Sequence, residues 1–267
     1  MGKTSRGIQS IEVGGQLLRA MAQSLEPMML RDLAREAGMT PAKAHPYLVS
    51  FLRLGLIEQD AATGRYDFGA FALELGLVSL HRLSAVRIAT PRIAALARDI
   101  NHAVALSVWG TYGPTVIRLE DSSRPVHIVM RVGSVMAMLE TATGRAFSAF
   151  LPPNILKTAL DSKLDRLGIG YSSRRARSGP EIEVMLADVR KRGLTRAAGD
   201  PLSGVNAFAA PVFDHAGAVV LSITAMGPAG SFNVDWNSPI ARALLDCANG
   251  ISRRLGYTGH RAPRGRS

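Results

Sequence analysis

Residues 38–57 read GMTPAKAHPYLVSFLRLGLI, a polar start running into an apolar stripe. No other stretch constrains the fold as tightly. Gly38 can adopt the left-handed conformation that ends a helix over residues 30–37, LRDLAREA, with Leu30, Leu33, Ala34 and Ala37 inward. Thr40 can cap the next helix, and Pro41 falls in its first position, where a missing N–H costs nothing. That helix is expected to reach about Leu54, with Ala44, Leu48, Phe51 and Leu52 inward and Gly55 closing it. Pro46 is the anomaly. It removes the N–H that would bond back to Ala42 and crowds that carbonyl, so it should kink the helix or delay its start. LIEQ and RYDF around the turn DAATG read as a short hairpin. A first helix spans residues 8–25, where Gly14 and Gly15 each cost about 1 kcal/mol relative to alanine, so packing must hold it. Helix, helix, turn, helix, hairpin is the order of a winged helix-turn-helix.

Residues 69–100 are expected to be helical again, interrupted near Thr90–Pro91. Their first half, GAFALELGLVSLHRL, is too apolar for a solvated linker and should pack against a twin chain. From about residue 103 the pattern turns to strands: AVALSVWG, PTVIRLED and PVHIVMRV. The helical GRAFSAFLP, a loop-rich stretch and an amphipathic helix at 180–192 follow. VNAFAAPVFD and AVVLSITAMG form a hairpin about a turn at His215–Gly217, and a last helix covers about 236–256. The fold class is therefore α+β: a winged helix-turn-helix domain over 1–70, a linker or dimerisation helix over 71–87, and a domain around an antiparallel sheet over 88–257. The basic TGHRAPRGRS, 258–267, reads as a disordered tail.

Charge narrows the partners. The 267 residues carry a net charge of +11, which favours an anion, nucleic acid before acidic membrane. Residues 1–82 hold nine Lys/Arg against eight Asp/Glu, so any DNA contact there depends on placement rather than bulk charge. Cys247 is the one cysteine, which excludes an internal disulfide and a cysteine metal cluster. The start, MGKTSRGIQSIEVGG, lacks the apolar core of a signal peptide, and no run approaches the ~20 residues that span a bilayer, so a cytoplasmic location is expected. His45, His81, His102, His127, His215 and His260 show no metal-ligand spacing, and neither a G-x-S-x-G elbow nor a P-loop occurs. An enzyme, a cofactor and a metal are accordingly not expected.

Several segments carry a family resemblance in order and spacing. RGIQSIEVGGQLLRAM, LRDLAREAGMTPAKAH and TGRYDFGAFALELG, then VGSVMAMLETATGRAFSAFLP and GVNAFAAPVFDHAGAVV, resemble IclR-type transcriptional regulators along almost the whole chain. The resemblance implies a winged DNA-binding domain, a GAF-like effector domain that senses a small organic acid or aromatic metabolite, and homodimers or dimers of dimers on palindromic double-stranded DNA operators. In such a motif the second helix reads the major groove with its N-terminal residues. Counted from Thr40, the outward residues are Pro41, Ala42, Lys43, His45 and Pro46, then Tyr47 and Ser50. Lys43 can reach guanine acceptors or a phosphate, and His45 or Tyr47 bases or backbone. The family usually has an arginine or a similar residue where this chain has Pro46. Arg65 after the wing turn, and Arg6, Arg31 and Arg35, are candidates for phosphates.

For the effector, TATGRAF at 141–147 is the leading segment. A glycine opening a helix exposes N–H groups and a positive dipole end that attract a carboxylate or phosphate. Thr141, Ala142, Thr143 and Gly144 should face a cavity walled by Met136, Met138 and Leu139 and by Ala207, Phe208, Ser222 and Thr224 of the hairpin. Asp200 stands where the family often carries glutamate, and Ala207 where it commonly has cysteine, which argues against a thiol or zinc role. A competing reading is a non-specific nucleic-acid or nucleoid-coating protein using Arg174–Arg175–Arg177, Arg190–Lys191–Arg192 and Arg253–Arg254.

Overall fold

The computed structural model describes residues 7–24, 26–82 (backbone alone for 79–82), 84–121, 130–161, 168–170, 179–199 and 201–259. Arg6, Asp200, the Arg174–Arg177 cluster, most of the expected strand PVHIVMRV and the tail from residue 260 lie outside these. The chain divides into two compact units, residues 1–83 and 84–267.

The first unit runs α1 (Gln9–Gln23), α2 (Leu30–Glu36), α3 (Pro41–Arg53), β1 (Ile57–Gln59), β2 (Tyr66–Phe68) and α4 (Ala70–Arg82). Leu17, Leu33, Ala44, Leu48, Ile57 and Tyr66 form its core. Gly14 has a use that helix propensity alone does not suggest. A Cβ there would stand 3.0 Å from Phe51 and 3.1 Å from Tyr47, so the glycine lets α3 cross close to α1. Gly38, at φ +67°, ends α2 as its position suggests.

Pro46 does not delay α3. The helix is continuous from Pro41, with Thr40 accepting from the Lys43 N–H at 3.3 Å. The N–H that Pro46 lacks would serve the carbonyl of Ala42, an exposed residue, where water can substitute. Ser50 Oγ donates to the Pro46 carbonyl at 3.0 Å on the same side.

The second unit opens with α5 (Ala85–Ile100), which runs through Pro91. The break expected at Thr90–Pro91 falls instead between Arg82 and Ala85, where Ser84 caps α5 by accepting from the Arg87 N–H at 3.3 Å. Ala85 and Ile88 consequently pack on this unit's core. Strands β3 (Ala103–Gly110), β4 (Gly113–Glu120), β5 (Thr195–Ala198), β6 (Val205–Phe213) and β7 (Val219–Pro228) make one antiparallel sheet in the order β4-β3-β7-β6-β5. Against one face lie α5 and α9 (Pro239–Arg254), around Ile93, Leu106, Phe208, Ile223 and Leu244. Over the other lies α6 (Ala142–Ser148), close because Ala142, Ala146, Ala197 and Ala209 are small. Then α8 (Gly179–Arg192) packs behind α6 through Leu186 and Val189. Two elements go beyond the sequence reading: α7 (Pro153–Asp161), which lies in the stretch expected to be loop-rich and buries no residue fully, and the short edge strand β5, which no sequence signal marks. Both are too short for periodicity to reveal.

Candidate functional site

On α3 the two faces separate cleanly. Ala44 and Leu48 are buried, while Pro41, Ala42, Lys43, His45, Pro46 and Ser50 are exposed. Tyr47 is half-buried and packs toward Gly14 of α1, with the core rather than with the outward residues. Arg31 is exposed on α2, whereas Arg35 pairs with Asp32 at 2.9 Å.

The wing differs. Asp60 Oδ1 accepts from the Thr63 N–H at 2.6 Å, the Thr63 hydroxyl at 3.0 Å and the Ala62 N–H at 2.9 Å. The bond from the Thr63 backbone, then that from its hydroxyl, then that from Ala62, hold the Asp60 carboxyl below the usual carboxylate range. Gly64 turns the chain at φ +70°. Arg65, expected to clasp phosphate, points back and donates from Nη1 to the Pro27 carbonyl at 2.9 Å. It borders a hollow whose lining also includes three acidic residues, Glu58, Asp60 and Asp67. The same unit leaves large apolar side chains in the open, Ile8 and Ile11 at the start of α1 and Leu73 and Leu77 on α4.

In the second unit, the segment TATGRAF does form the start of a helix, but the N–H of Gly144 is already used. Thr141 Oγ1 accepts from the Gly144 N–H at 2.9 Å and donates to the Ala137 carbonyl at 2.6 Å. A Cβ on Gly144 would overlap the Ala137 carbonyl oxygen and come within 2.6 Å of the Met138 Cα. Gly144 is therefore a close-approach glycine, and its N–H does not face a cavity as the sequence suggested. Thr195 Oγ1 donates to the Ala142 carbonyl at 2.8 Å, and the hydroxyls of Thr143 and Thr224 meet at 2.7 Å, joining α6 to β7.

Beside that hydroxyl pair lies a cavity of about 40 Å³. Of the residues expected at an effector site, Thr141, Ala142, Thr143, Ala207 and Thr224 line it, as does Met136. Met138, Leu139, Gly144, Phe208 and Ser222 do not. Phe208 faces the α5/α9 core, and Ser222 lies under α6 in register with Ser107. Sequence reasoning missed Met130, Ala197, Pro201, Leu202, Val205 and Met226 on the lining. Val205 and Met226 were within reach: each stands two residues from Ala207 or Thr224 on its own strand, hence on the same face. Cys247 is half-buried and its thiol is pushed up to about 11, mainly by burial and against the opposing pull of Arg92. At neutral pH it is a protonated core side chain.

No helix among the described residues is long and apolar enough to cross a membrane. Two sequence families match the chain: the IclR helix-turn-helix domain over residues 10–61 and the bacterial transcriptional regulator IclR C-terminal domain over 77–253. The glycerol operon regulatory protein of Streptomyces griseus is 30% identical over 260 residues, spanning 94% of this chain and 98% of that protein. The crystal structure of Pseudomonas aeruginosa HmgR superposes with a TM-score of 0.86 at 35% identity, covering 95% of this chain and 100% of that one. An IclR homologue from Microbacterium hydrocarbonoxydans, crystallised with 4-hydroxybenzoate, shares the fold at a TM-score of 0.54 and 19% identity, covering 92% and 98%. Matched over both units in the same order, the chain belongs to the IclR family of bacterial transcriptional regulators.

Proposed function

We propose that this regulator is ligand-responsive: a cytoplasmic homodimer or dimer of dimers that reads a palindromic operator with α3 and takes up a small organic acid or aromatic metabolite beside α6. The observation that carries the reading is the cavity formed where Thr143 of α6 meets Thr224 of β7. Three threonine hydroxyls set among three methionines offer a few polar points in an apolar wall, the usual makeup of a small-molecule site. At about 40 Å³ the cavity is far smaller than the ~300 Å³ at which ligand pockets begin, so an effector must move its walls. Met130, Met136 and Met226 suit that task, because unbranched thioether side chains repack readily. A ligand that binds only the opened form shifts the population toward it, which is what a switch requires. An aromatic acid in the Microbacterium homologue supports the same ligand class.

The exposed Ile8, Ile11, Leu73 and Leu77 support a twin chain as the cover for α1 and α4, since a two-fold protein suits a palindromic site. Against a coating protein stands the pairing of Arg190 with Glu183 and of Arg192 with Asp188, which neutralises part of the basic cluster on α8. The test is a thermal-shift screen of small organic and aromatic acids, followed by calorimetry on Thr224→Val. The reading expects a hit that raises the melting temperature, releases or recruits operator DNA, and loses at least tenfold in affinity in the variant. A hit whose affinity ignores Thr224 places the effector elsewhere.

A further inference from the structure

A second cavity, of about 730 Å³, opens at the other end of α6 from the effector cavity. The volume falls within the range of small-molecule sites. One wall is aromatic. Phe213 lies edge-on to Phe150 at 4.9 Å and is tilted against Tyr257 at 4.9 Å, so three rings form a continuous apolar surface. Pro152 extends it at the rim. The polar point is Arg190, half-buried on α8. Its Nε donates to the Ala149 carbonyl at 2.6 Å, which fixes the guanidinium at the C-terminal end of α6. Its Nη1 donates to Glu183 at 2.6 Å. A guanidinium has five N–H donors, so three remain beyond these two bonds.

Glu183 is the weak partner in this arrangement. Its side chain is 67% exposed, and an ion pair of that exposure adds little stability and yields to a competing carboxylate. The geometry points to a second ligand site, distinct from the effector cavity, that takes a planar aryl carboxylate: its acid group replaces Glu183 on Arg190 and its ring lies on the Phe150–Phe213–Tyr257 wall. Arginine suits the role because its planar fork pairs with a carboxylate through two parallel bonds.

The experiment is calorimetric titration of naphthalene-2-carboxylate into the full-length protein, its Glu183→Gln and Arg190→Gln variants, and a Thr224→Val variant altered only at the effector cavity. Glu183→Gln removes the competing carboxylate from an exposed position and should tighten binding about threefold to fivefold, the equivalent of a surface ion pair. Arg190→Gln should weaken it at least tenfold, as should replacing the probe by naphthalene-2-carboxamide. Thr224→Val should leave the Arg190-dependent part of the isotherm unchanged, whatever it does to uptake beside α6. Arg190→Gln also removes the bond to Ala149, so its melting curve is recorded, and Glu183→Gln, which leaves that bond in place, is read beside it. Unaltered affinity in Glu183→Gln, Arg190-dependent binding that is lost in Thr224→Val, or no heat at millimolar probe would each overturn the proposal.

Discussion

Helices α3 and α6 begin alike and end up with opposite roles. Each follows an extended threonine, Thr40 at φ −78°, ψ 150° and Thr141 at φ −89°, ψ 155°, whose hydroxyl accepts from the N–H three residues on. That third residue is Lys43 in one helix and Gly144 in the other. Lys43 is exposed, and Gly144 is pressed against the Ala137 carbonyl and the Met138 backbone. A cap thus starts a helix without determining what its first turn faces. Packing decides that: α3 shows its first turn to solvent, while α6 lies between a sheet and α8.

The contrast is sharpest at those two matched positions. Gly144→Ala should destabilise the second unit by about 3 kcal/mol or more, the upper end of overpacking costs, because backbone atoms rather than flexible side-chain ends occupy the space. Lys43→Ala should leave stability within about 0.5 kcal/mol. Chemical denaturation of the two variants reads both values, and a Gly144→Ala protein as stable as the parent would show that α6 can lift off the segment below it. On DNA the order reverses. Lys43→Ala and His45→Ala should each weaken operator binding by about 1–3 kcal/mol for a lost base contact, compared at one fixed salt concentration. Equal affinity in both would remove α3 from the reading surface.

The caps themselves give the next largest effect. Thr40→Ala removes one exposed bond and should cost about 1 kcal/mol. Thr141→Ala leaves the buried Gly144 N–H without its partner and strips the Ala137 carbonyl of its shorter bond, leaving it only the Thr141 N–H at 3.4 Å, and should cost about 2–3 kcal/mol. Equal losses would mean that burial adds nothing to the value of this cap.

The difference between the two helices also marks how far the sequence could be read. The outward face of α3 was legible because Ala44, Leu48, Phe51 and Leu52 follow a helical period, which leaves Lys43 and His45 nowhere to go but out. The strands β3, β6 and β7 were legible because apolar runs ended at turn residues. The interior of the second unit was not. Glycine at residue 144 serves equally to free an N–H for a ligand or to let two backbones touch, and only the position of Ala137 and Met138 distinguishes these. Arg65 shows the same limit in the wing. A basic residue after a turn suggests phosphate, but its direction depends on Pro27, 38 residues earlier in the chain.

Two hydroxyl pairs on the α6 side of the sheet test the smallest effect. Thr143 and Thr224 bond each other, whereas Ser107 and Ser222, facing each other in register two residues from Thr224 along β7, are fully buried and have no hydrogen-bond partner among the described residues. An unpartnered buried hydroxyl contributes desolvation cost without a compensating bond, so removing it is nearly free. Ser222→Ala should change stability by no more than about 0.5 kcal/mol, the lost packing of one oxygen being offset by relief of that cost. Thr224→Val, which strands the Thr143 hydroxyl, should cost about 1–2 kcal/mol. Because Ser222 lies off the cavity lining, Ser222→Ala should also leave affinity for an effector within about twofold, a change of less than ~0.5 kcal/mol. A loss above tenfold would mean that the effector reaches under α6 to a residue the closed cavity does not touch, and that α6 must rise when the ligand enters.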